Sequence, residues 1–392
     1  MLGLVASLAL PLSAGATEAI RIGQINSQGR QSASGQAYRN GLALALEQIN
    51  EAGGINGRPL QLVVREDDGD ADQAARHAKE LVSNEHVEVL TGTMLSDVAL
   101  AVARQAARSK TVLVVGDALS DAITLDKGNR YTFRVRPSTY MQAAMLAEQA
   151  ARMPGRRWAV VAPNYEYGQS AVASFKMLLK QARPDVEFVS DQWPALGKIK
   201  AEDVARAIRQ SRPDGIFNAT FGEDLQKLVQ AGNRQQLFNG VRVVSMGAQS
   251  LDPSQSEAIR DWVSIGYPWE QINTPEHQRF LDAYMKKFSE PPQLPAVVGY
   301  STMLAIAGGL RKSEGGDGEA LVEALRGLHW SSPLGELSFR ALDQQSTMGA
   351  FIGLVWPKDG RSSLREWRYL DGTAYLPPPT YVRSRRPAAA IR

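Results

Sequence analysis

Two short segments follow apolar, strand-like runs and carry groups that can hold an anion. Ser96 stands in TGTMLSDVALAVARQA, directly after such a run and before an amphipathic helical pattern. Its hydroxyl and the following backbone N–H groups could bind a carboxylate, because the first turn of a helix leaves N–H groups unpaired. An ordinary helix N-cap is the alternative. The segment VGDALSDAIT, with Ala118, Leu119 and Ser120, has the same arrangement and the same alternative, a polar loop between strand and helix.

Other kinds of chemistry lack the residues that they need. The chain has no cysteine, which excludes disulfides, thiolate nucleophiles and zinc–thiolate sites. The four histidines are scattered and never take the i, i+4 spacing that places two imidazoles on one helix face. The sequence contains no G-x-G-x-x-G turn, P-loop or G-x-S-x-G elbow. We therefore expect no metal, no cofactor and no catalysis.

Length and composition indicate a globular protein of two lobes. The 392 residues are too many for one ordinary core and too few for three. The 44% hydrophobic and 22% charged residues match the average of globular domains. The 44 basic and 41 acidic residues are interspersed and give a net charge of +3, so no nucleic-acid surface is expected.

The elements that must position the polar segments alternate between two periodicities. Short β-branched runs predict strands at 20–26, 60–66, 87–92 and 111–116. Helical patterns lie between them, at about 35–51, 70–84 and 97–108. A second series begins after residue 137 with RWAVVA, VEFVSD, DGIFNA and VRVVSM. This alternation predicts an α/β fold built from βαβ units on parallel sheets, with one sheet in each lobe.

Both ends of the chain differ from the lobes. Residues 1–16, MLGLVASLALPLSAGA, have the apolar stretch and A-x-A ending of a secretory signal peptide, with cleavage predicted before Thr17. The apolar stretch is too short to span a bilayer. The tail at 376–392 combines LPPP with basic residues and alanines, and we expect it to be disordered.

Three longer stretches resemble one family. SGQAYRNGLALALEQINEAGGINGRPLQLVVREDDGDADQAARHAKELV, at 34–82, is similar to the first lobe of type I periplasmic binding proteins of the leucine/isoleucine/valine-binding class. PNYEYGQSAVASFK, at 163–176, and LDQQSTMGAFIGLV, at 342–355, resemble later parts of the same family, the substrate-binding proteins of branched-chain amino acid ABC transporters.

The resemblance implies two Rossmann-like lobes joined by three hinge crossings, with a ligand cleft between them. The expected N-terminal lobe is 20–135 plus 270–333, and the expected C-terminal lobe is 136–269 plus 334–375. The implied protein is a periplasmic monomer that captures a small amino-acid-like or carboxylate ligand and delivers it to an ABC permease in the inner membrane.

The family's ligand contacts map onto particular residues of this chain. By resemblance, Ser96 binds the charged end of the ligand, and Ala118 and Ser120 add a backbone group and a hydroxyl beside Leu119. Tyr167 and Phe221 match positions where the family places aromatic groups against the ligand. Trp269 could close over a flat ligand such as an aromatic acid, as could Tyr140. Core packing is the alternative for Phe221, and packing at the hinge is the alternative for Trp269 and Tyr140.

Gln249 departs from the family pattern. In SMGAQS it stands where the amino-acid binders place a glutamate against the ligand's α-ammonium. A buried ammonium without an anion is costly. Either Asp97, Asp117 or Glu223 therefore substitutes for that glutamate, or the ligand lacks the ammonium charge.

Two other classes of function compete with the transport protein. A sensor could use the same lobes to report to a regulator, but it would lack a signal peptide or add a signalling domain. An enzyme on a Rossmann-like scaffold would need one of the catalytic motifs that this sequence lacks.

Overall fold

The first lobe contains a five-stranded parallel sheet. The computed structural model describes residues 18–26, 32–248, 251, 253–314, 317–358 and 361–391. The sheet has the strand order β2-β1-β3-β4-β5. Its strands are β1 Ile20–Asn26, β2 Leu60–Glu66, β3 Val89–Gly92, β4 Val112–Val115 and β5 Thr132–Arg134. β3, β4 and β5 are buried at every position, as expected for parallel strands covered on both faces.

Helices cover this sheet and connect its strands. The helices of the first lobe are α1 Ser32–Glu51, α2 Ala71–Ser83, α3 Ser96–Ser109, α9 Leu294–Lys312 and α10 Gly318–Leu325. The Asp70 side chain caps α2 by accepting the N–H of Gln73, and α3 ends where Lys110 adopts a left-handed conformation with φ of 53°. α9 belongs to this lobe because it packs against α1 over the core formed by β1, β3 and β4.

The second lobe contains a mixed sheet of seven strands. Its order is β14-β13-β10-β9-β8-β6-β7. The strands are β6 Arg157–Val161, β7 Glu187–Gln192, β8 Gly215–Asn218, β9 Arg242–Ser245, β10 Val263–Gly266, β13 Ala350–Lys358 and β14 Arg361–Leu370. β13 pairs antiparallel with both β10 and β14. The other pairings in the sheet are parallel. α4 Thr139–Ala151 leads from β5 into β6. Three helices connect strands of the sheet: α5 Glu166–Ala182, α6 Ala201–Gln210 and α7 Gly222–Arg234.

The chain passes between the lobes after β5, after β10 and before β13. After β10 it continues through α8 Pro275–Phe288 to α9, then forms a hairpin of β11 His329–Ser332 and β12 Gly335–Ser338. The hairpin packs in the first lobe, because Trp330, Leu337 and Phe339 share the core of Phe133. The expected lobe boundary at 333/334 therefore falls inside a hairpin that packs as one unit in the first lobe. The backbone pairs again with Arg134 at Gln345 and Ser346 before it enters β13.

The tail is structured, contrary to the expectation of disorder from its composition. It forms α11 Pro379–Arg385 and α12 Ala388–Ile391. Val382 is fully buried, and the guanidinium of Arg386 donates to the backbone carbonyls of Thr124 and Asp343. The expectation of disorder was based on the small number of apolar residues in the tail. It took no account of an arginine whose guanidinium is held by backbone carbonyl oxygens.

The predicted signal peptide at 1–16 lies outside the described residues. Across the ranges that the structure does describe, no helix combines the length and the apolar character needed to cross a bilayer.

Candidate functional site

A cleft of about 570 Å³ lies between the lobes. Its walls are the loops that leave the carboxyl ends of strands in both sheets, where parallel α/β sheets place ligands. β3, β4 and β5 supply the wall of the first lobe. The wall of the second lobe follows β6, β8, β9 and β10. The predicted arrangement, a cleft lined by strand-end loops of two lobes, is therefore present.

Ser96 lies on the cleft, as the sequence suggested. It is the first residue of α3 and is 1% exposed, and its Oγ accepts the backbone N–H of Ser120 at 3.1 Å. The N-cap position belongs instead to Leu95, whose side chain makes no capping bond. The Ser96 hydroxyl thus ties the loop after β3 to the loop after β4. Among the described residues it donates to no acceptor, so its proton can serve a ligand.

The loop after β4 contributes one of its three predicted residues to the lining. Leu119 lines the cleft, whereas Ala118 and Ser120 are fully buried behind it. The Ser120 hydroxyl donates to Glu166 Oε1 at 2.6 Å and accepts the N–H of Ala122. The resemblance assigned the Ser120 hydroxyl to the ligand, but this hydroxyl already makes hydrogen bonds within the protein.

Aromatic side chains form the wall of the second lobe. Tyr167 and Phe221 both line the cleft, and their rings meet edge to face with centroids 5.7 Å apart. Tyr165, which sequence reasoning missed, lies beside Tyr167 at 5.9 Å. Burial raises the pKa of both tyrosines above the ordinary value, so both phenols stay protonated and can donate hydrogen bonds.

A glycine permits the turn that presents these tyrosines. Gly168 lies in the first turn of α5, next to Tyr167. A Cβ on Gly168 would come 2.0 Å from the carbonyl oxygen of Pro163, so a larger residue would push α5 away from β6.

Of the other residues predicted to bind the ligand, one lines the cleft and one does not. Trp269 lines the cleft from a short 3₁₀ helix, Trp269–Gln271, and its backbone N–H donates to the carbonyl of Tyr267. Tyr140 is buried against Tyr381 of the tail and does not reach the lining. Gln249 lies outside the described residues, so the hypothesis built on it remains a prediction.

An ion pair that the sequence analysis did not predict lies on the first lobe's wall. Asp117 follows β4, Arg136 follows β5, and the Arg136 guanidinium donates to Asp117 Oδ1. Both side chains line the cleft, at 7% and 16% exposure. The strand-end rule that identified Ser96 could have identified Arg136 as well, because Arg136 stands two residues after a strand-like run.

The other two carboxylates considered from the sequence do not reach the lining. Asp97 is exposed beside Ser96, and Glu223 is 70% exposed and paired with Lys227 at 2.8 Å. Of the three candidates for an ammonium partner, Asp117 is the one that lines the cleft.

A buried arginine holds the loop that carries Asp117 and Leu119. Arg134 is fully buried at the end of β5, and its guanidinium donates to the carbonyls of Leu119 and Ser120 and to Gln345 Oε1 at 2.6 Å. Burial lowers the pKa of Arg134 to about 10, which leaves it charged at neutral pH. Its role is to position the loop.

Comparison with known proteins agrees with this architecture. The periplasmic binding protein family matches the chain over residues 19–360. Leu/Ile/Val-binding protein homolog 7 from Brucella suis is 25% identical, over 83% of this chain and 86% of its own length. The leucine-, isoleucine-, valine-, threonine-, and alanine-binding protein from Pseudomonas aeruginosa is 24% identical, over 83% of this chain and 86% of its own length.

Solved structures share the fold. A solute binding protein of an ABC transporter from Rhodopseudomonas palustris HaA2, in complex with p-hydroxybenzoic acid, has a TM-score of 0.83 at 22% identity, over 94% of this chain and 100% of its own. A branched-chain amino acid transporter substrate binding protein from Streptococcus pneumoniae, in complex with isoleucine, has a TM-score of 0.78 at 20% identity, over 90% of this chain and 100% of its own. The α/β fold and the family resemblance that we predicted are confirmed: the chain belongs to the periplasmic binding protein family.

Proposed function

We propose that this protein captures a small carboxylate-bearing ligand in the cleft between its lobes and delivers it to an ABC permease of the inner membrane. Arg136 carries the proposal. Within the described part of the chain its guanidinium makes one hydrogen bond, to Asp117, although a guanidinium has five N–H donors. Because Arg136 lines the cleft, its remaining donors can hold a carboxylate there.

The shape of the cleft suits a ligand with one polar and one apolar end. Its volume of about 570 Å³ is within the range of small-molecule sites. Tyr165, Tyr167 and Phe221 face the polar wall, and Met94 and Met246 add adaptable apolar surface. A carboxylate on the first lobe and an apolar or aromatic body against the second lobe would use both walls.

The ligands named for the relatives support a carboxylate. The Pseudomonas aeruginosa relative is named for binding five amino acids, and the Rhodopseudomonas palustris structure contains p-hydroxybenzoic acid. These compounds share a carboxylate and differ in the ammonium group.

The mechanism follows from two lobes joined at a hinge. A ligand that touches both lobes stabilises the closed state by the contacts that form only on closure. We propose that the mature protein is a periplasmic monomer without catalytic activity, and that the permease recognises its closed state.

Calorimetry with a small ligand panel tests the carboxylate proposal. The parent, Arg136→Gln and the control Arg206→Gln, which removes an arginine that is 57% exposed and outside the cleft, would be titrated with aliphatic and aromatic carboxylates and amino acids. Losing a charge-assisted hydrogen bond costs about 1.5 to 3 kcal/mol, so Arg136→Gln should weaken binding about tenfold or more. Equal affinity of the Arg136→Gln variant and the parent would contradict the proposed role of Arg136.

Small-angle scattering of the same samples tests the hinge. We expect the radius of gyration to fall on saturation with the tightest ligand of the panel. An unchanged radius with a tightly bound ligand would contradict closure.

A further inference from the structure

The tail leaves the second lobe and stays in contact with it. After β14 the chain forms a 3₁₀ helix, Gly372–Tyr375, and the Tyr375 hydroxyl donates to Glu148 Oε2 on α4 at 2.6 Å. Burial raises the pKa of Tyr375 to about 12, so the phenol stays protonated and keeps donating. Further along, the ring of Tyr381 packs on that of Tyr140 in the first turn of α4, with centroids 5.3 Å apart. Two side chains of the tail therefore lie against one helix of the second lobe.

The far end of the tail is held by the first lobe. The acceptors lie in the segment between β4 and β5. The Arg386 guanidinium donates to the carbonyl oxygen of Thr124 and, at 3.3 Å, to that of Asn129. Arg385 forms a bidentate ion pair with the two carboxylate oxygens of Asp126, both at 2.6 Å. The tail therefore extends from one lobe to the other.

The first lobe is shaped to receive the Arg386 guanidinium. A Cβ on Gly128 would lie 2.6 Å from Arg386 Nη1, so the glycine leaves the space that the guanidinium fills. The same guanidinium donates to Gln344 Oε1 and to the carbonyl of Asp343, in the crossing that leads to β13. An arginine held out of water is costly unless its donors are paired. These acceptors therefore form a specific attachment site for the end of the tail.

These contacts make the tail a fourth link between the lobes. The other three links are continuous backbone, after β5, after β10 and before β13. The tail is continuous with the second lobe through β14, but it is attached to the first lobe by noncovalent contacts. It also lies beyond residues 19–360, over which the family matches. This fourth link can therefore be released without any change in the other three.

The attachment site is coupled to the wall of the cleft. Arg134 donates to the carbonyl of Leu119 and also to Thr124 Oγ1, at 3.0 Å. Two buried guanidinium groups therefore hold Thr124, one through its hydroxyl and the other, that of Arg386, through its carbonyl. Leu119 lines the cleft earlier in the same segment. The tail is thus attached to the segment that forms part of the first lobe's wall.

We propose that the tail is a releasable strap whose attachment to the first lobe limits the movement of the second lobe about the hinge. A rotation of the lobes moves α4 relative to the segment between β4 and β5, so it must strain or release the contacts of Arg385 and Arg386. Contacts that exist in one arrangement stabilise it over the others. This inference goes beyond the proposed function, because the strap acts on the lobes whether or not a ligand is present.

Distances between spin labels on the two lobes test the strap in the ligand-free protein. The chain contains no cysteine, so Lys79→Cys on α2 and Gln230→Cys on α7 would carry the only two labels. Both positions are exposed. Double electron–electron resonance would compare this labelled parent with a version that adds Arg385→Ala and Arg386→Ala together. The matched control adds Arg383→Ala, which removes an exposed arginine of α11 that makes no hydrogen bond to the described residues.

We expect one narrow distance peak for the labelled parent. Releasing the strap should raise the fraction of molecules outside that peak by about tenfold, because charge-assisted hydrogen bonds that exist only in the held arrangement are lost. The Arg383→Ala control should keep the parent's distribution. A folded double variant with the parent's distribution would overturn the strap. An equal broadening in the control would also overturn it, because the effect would then come from the charge of the tail and not from its attachment.

A second labelled pair tests the attachment if the double variant does not fold, as judged by its circular dichroism spectrum. Ala389→Cys near the end of the tail would be paired with Lys79→Cys on the first lobe in the otherwise unchanged parent. Both positions are exposed. One narrow peak would support attachment of the tail end to the first lobe. Distances spread over several peaks would show a detached end and overturn the strap.

Discussion

The Ser120 hydroxyl donates a hydrogen bond to Glu166 Oε1 at 2.6 Å, which joins the loop after β4 in the first lobe to the first turn of α5 in the second. The backbone N–H of Asp121 extends this contact by donating to Ser170 Oγ, also on α5. These bonds join the two lobes directly, beside the ligand cleft. Their strength should therefore influence how readily the lobes close.

Removing the Ser120 hydroxyl should weaken ligand binding without removing a ligand contact. We expect Ser120→Ala and Glu166→Gln each to lower affinity by up to about tenfold, because a charge-assisted bond that favours the closed state is lost. The double variant should be no worse than either single one. Calorimetric double-mutant cycles measure this coupling. Additive losses would mean that Ser120 contacts the ligand itself, as the family resemblance implied.

Substitutions of Tyr167 should separate the aromatic ring from its hydroxyl. Tyr167→Ala removes the ring that packs on Phe221 and should lower affinity more than tenfold, since burying an aromatic side chain contributes about 2 kcal/mol. Tyr167→Phe should keep most of the affinity. Calorimetry measures both variants, and thermal unfolding checks that the lobes remain intact. A loss with phenylalanine as large as with alanine would assign the contact to the phenol.

Removing the Ser96 hydroxyl should weaken binding from the other lobe. Ser96→Ala deletes the oxygen that accepts the Ser120 N–H and that faces the cleft. We expect affinity to fall by about tenfold and the free energy of unfolding to fall by about 1 to 3 kcal/mol, because the buried Ser120 N–H loses its acceptor. Calorimetry together with thermal unfolding checks this, and unchanged affinity would show that the ligand does not use this end of the cleft.

Arg386 should stabilise the fold far more than its neighbour Arg385. Arg386 is 3% exposed and donates to buried carbonyls, whereas Arg385 forms an exposed pair with Asp126. Arg386→Ala leaves those acceptors without a partner and should lower the free energy of unfolding by about 2 to 4 kcal/mol. Arg385→Ala should change it by less than about 1 kcal/mol. Urea denaturation compares the two, and equal effects would contradict the anchoring of the tail through Arg386.

His277 should make the protein less stable in mild acid. It is fully buried with its Nε2 2.7 Å from the Tyr267 hydroxyl, and burial lowers its pKa from 6.5 to about 4. The unfolded chain therefore binds a proton at a higher pH than the folded one does. The contribution of neutral His277 to the free energy of unfolding is complete above pH 6.5, and it is lost as the pH falls through the pKa of the folded state.

This loss should reach roughly 2 to 3 kcal/mol by pH 4.5. Urea denaturation at pH 7.5 and pH 4.5 measures it in the parent and in His277→Gln, which cannot titrate in this range. The variant should lose less stability than the parent between the two values. Identical pH dependence would show that other groups dominate acid unfolding.

Much of the cleft could be predicted because its residues obey a local rule. Ser96, Leu119, Tyr167, Phe221 and Trp269 all line it. Each follows a strand, and the carboxyl ends of parallel strands meet at one edge of a sheet. The sequence places a residue relative to its strand, so it predicts which edge the residue occupies.

The ion pair in the cleft required the order of the strands. Asp117 and Arg136 follow β4 and β5, and they meet because these strands are neighbours in the sheet. The position of each residue after a strand-like run predicts the edge of the sheet that it occupies, whereas the pairing of the two depends on the strand order. The pairing of Ser120 depends on the packing of the lobes, because its partner Glu166 belongs to the other lobe.

The sequence by itself determined the alternation of strands and helices, the two lobes and the family, because each depends on patterns within a few dozen neighbouring residues. The tertiary structure decided which side chains pair across elements and whether the tail is ordered. Arg386 shows the reason: its acceptors on Thr124 and Asp343 are distant in sequence and become neighbours only after both lobes have formed. Hydrogen bonds and ion pairs act over a few ångströms, and only the packed chain establishes which groups come that close.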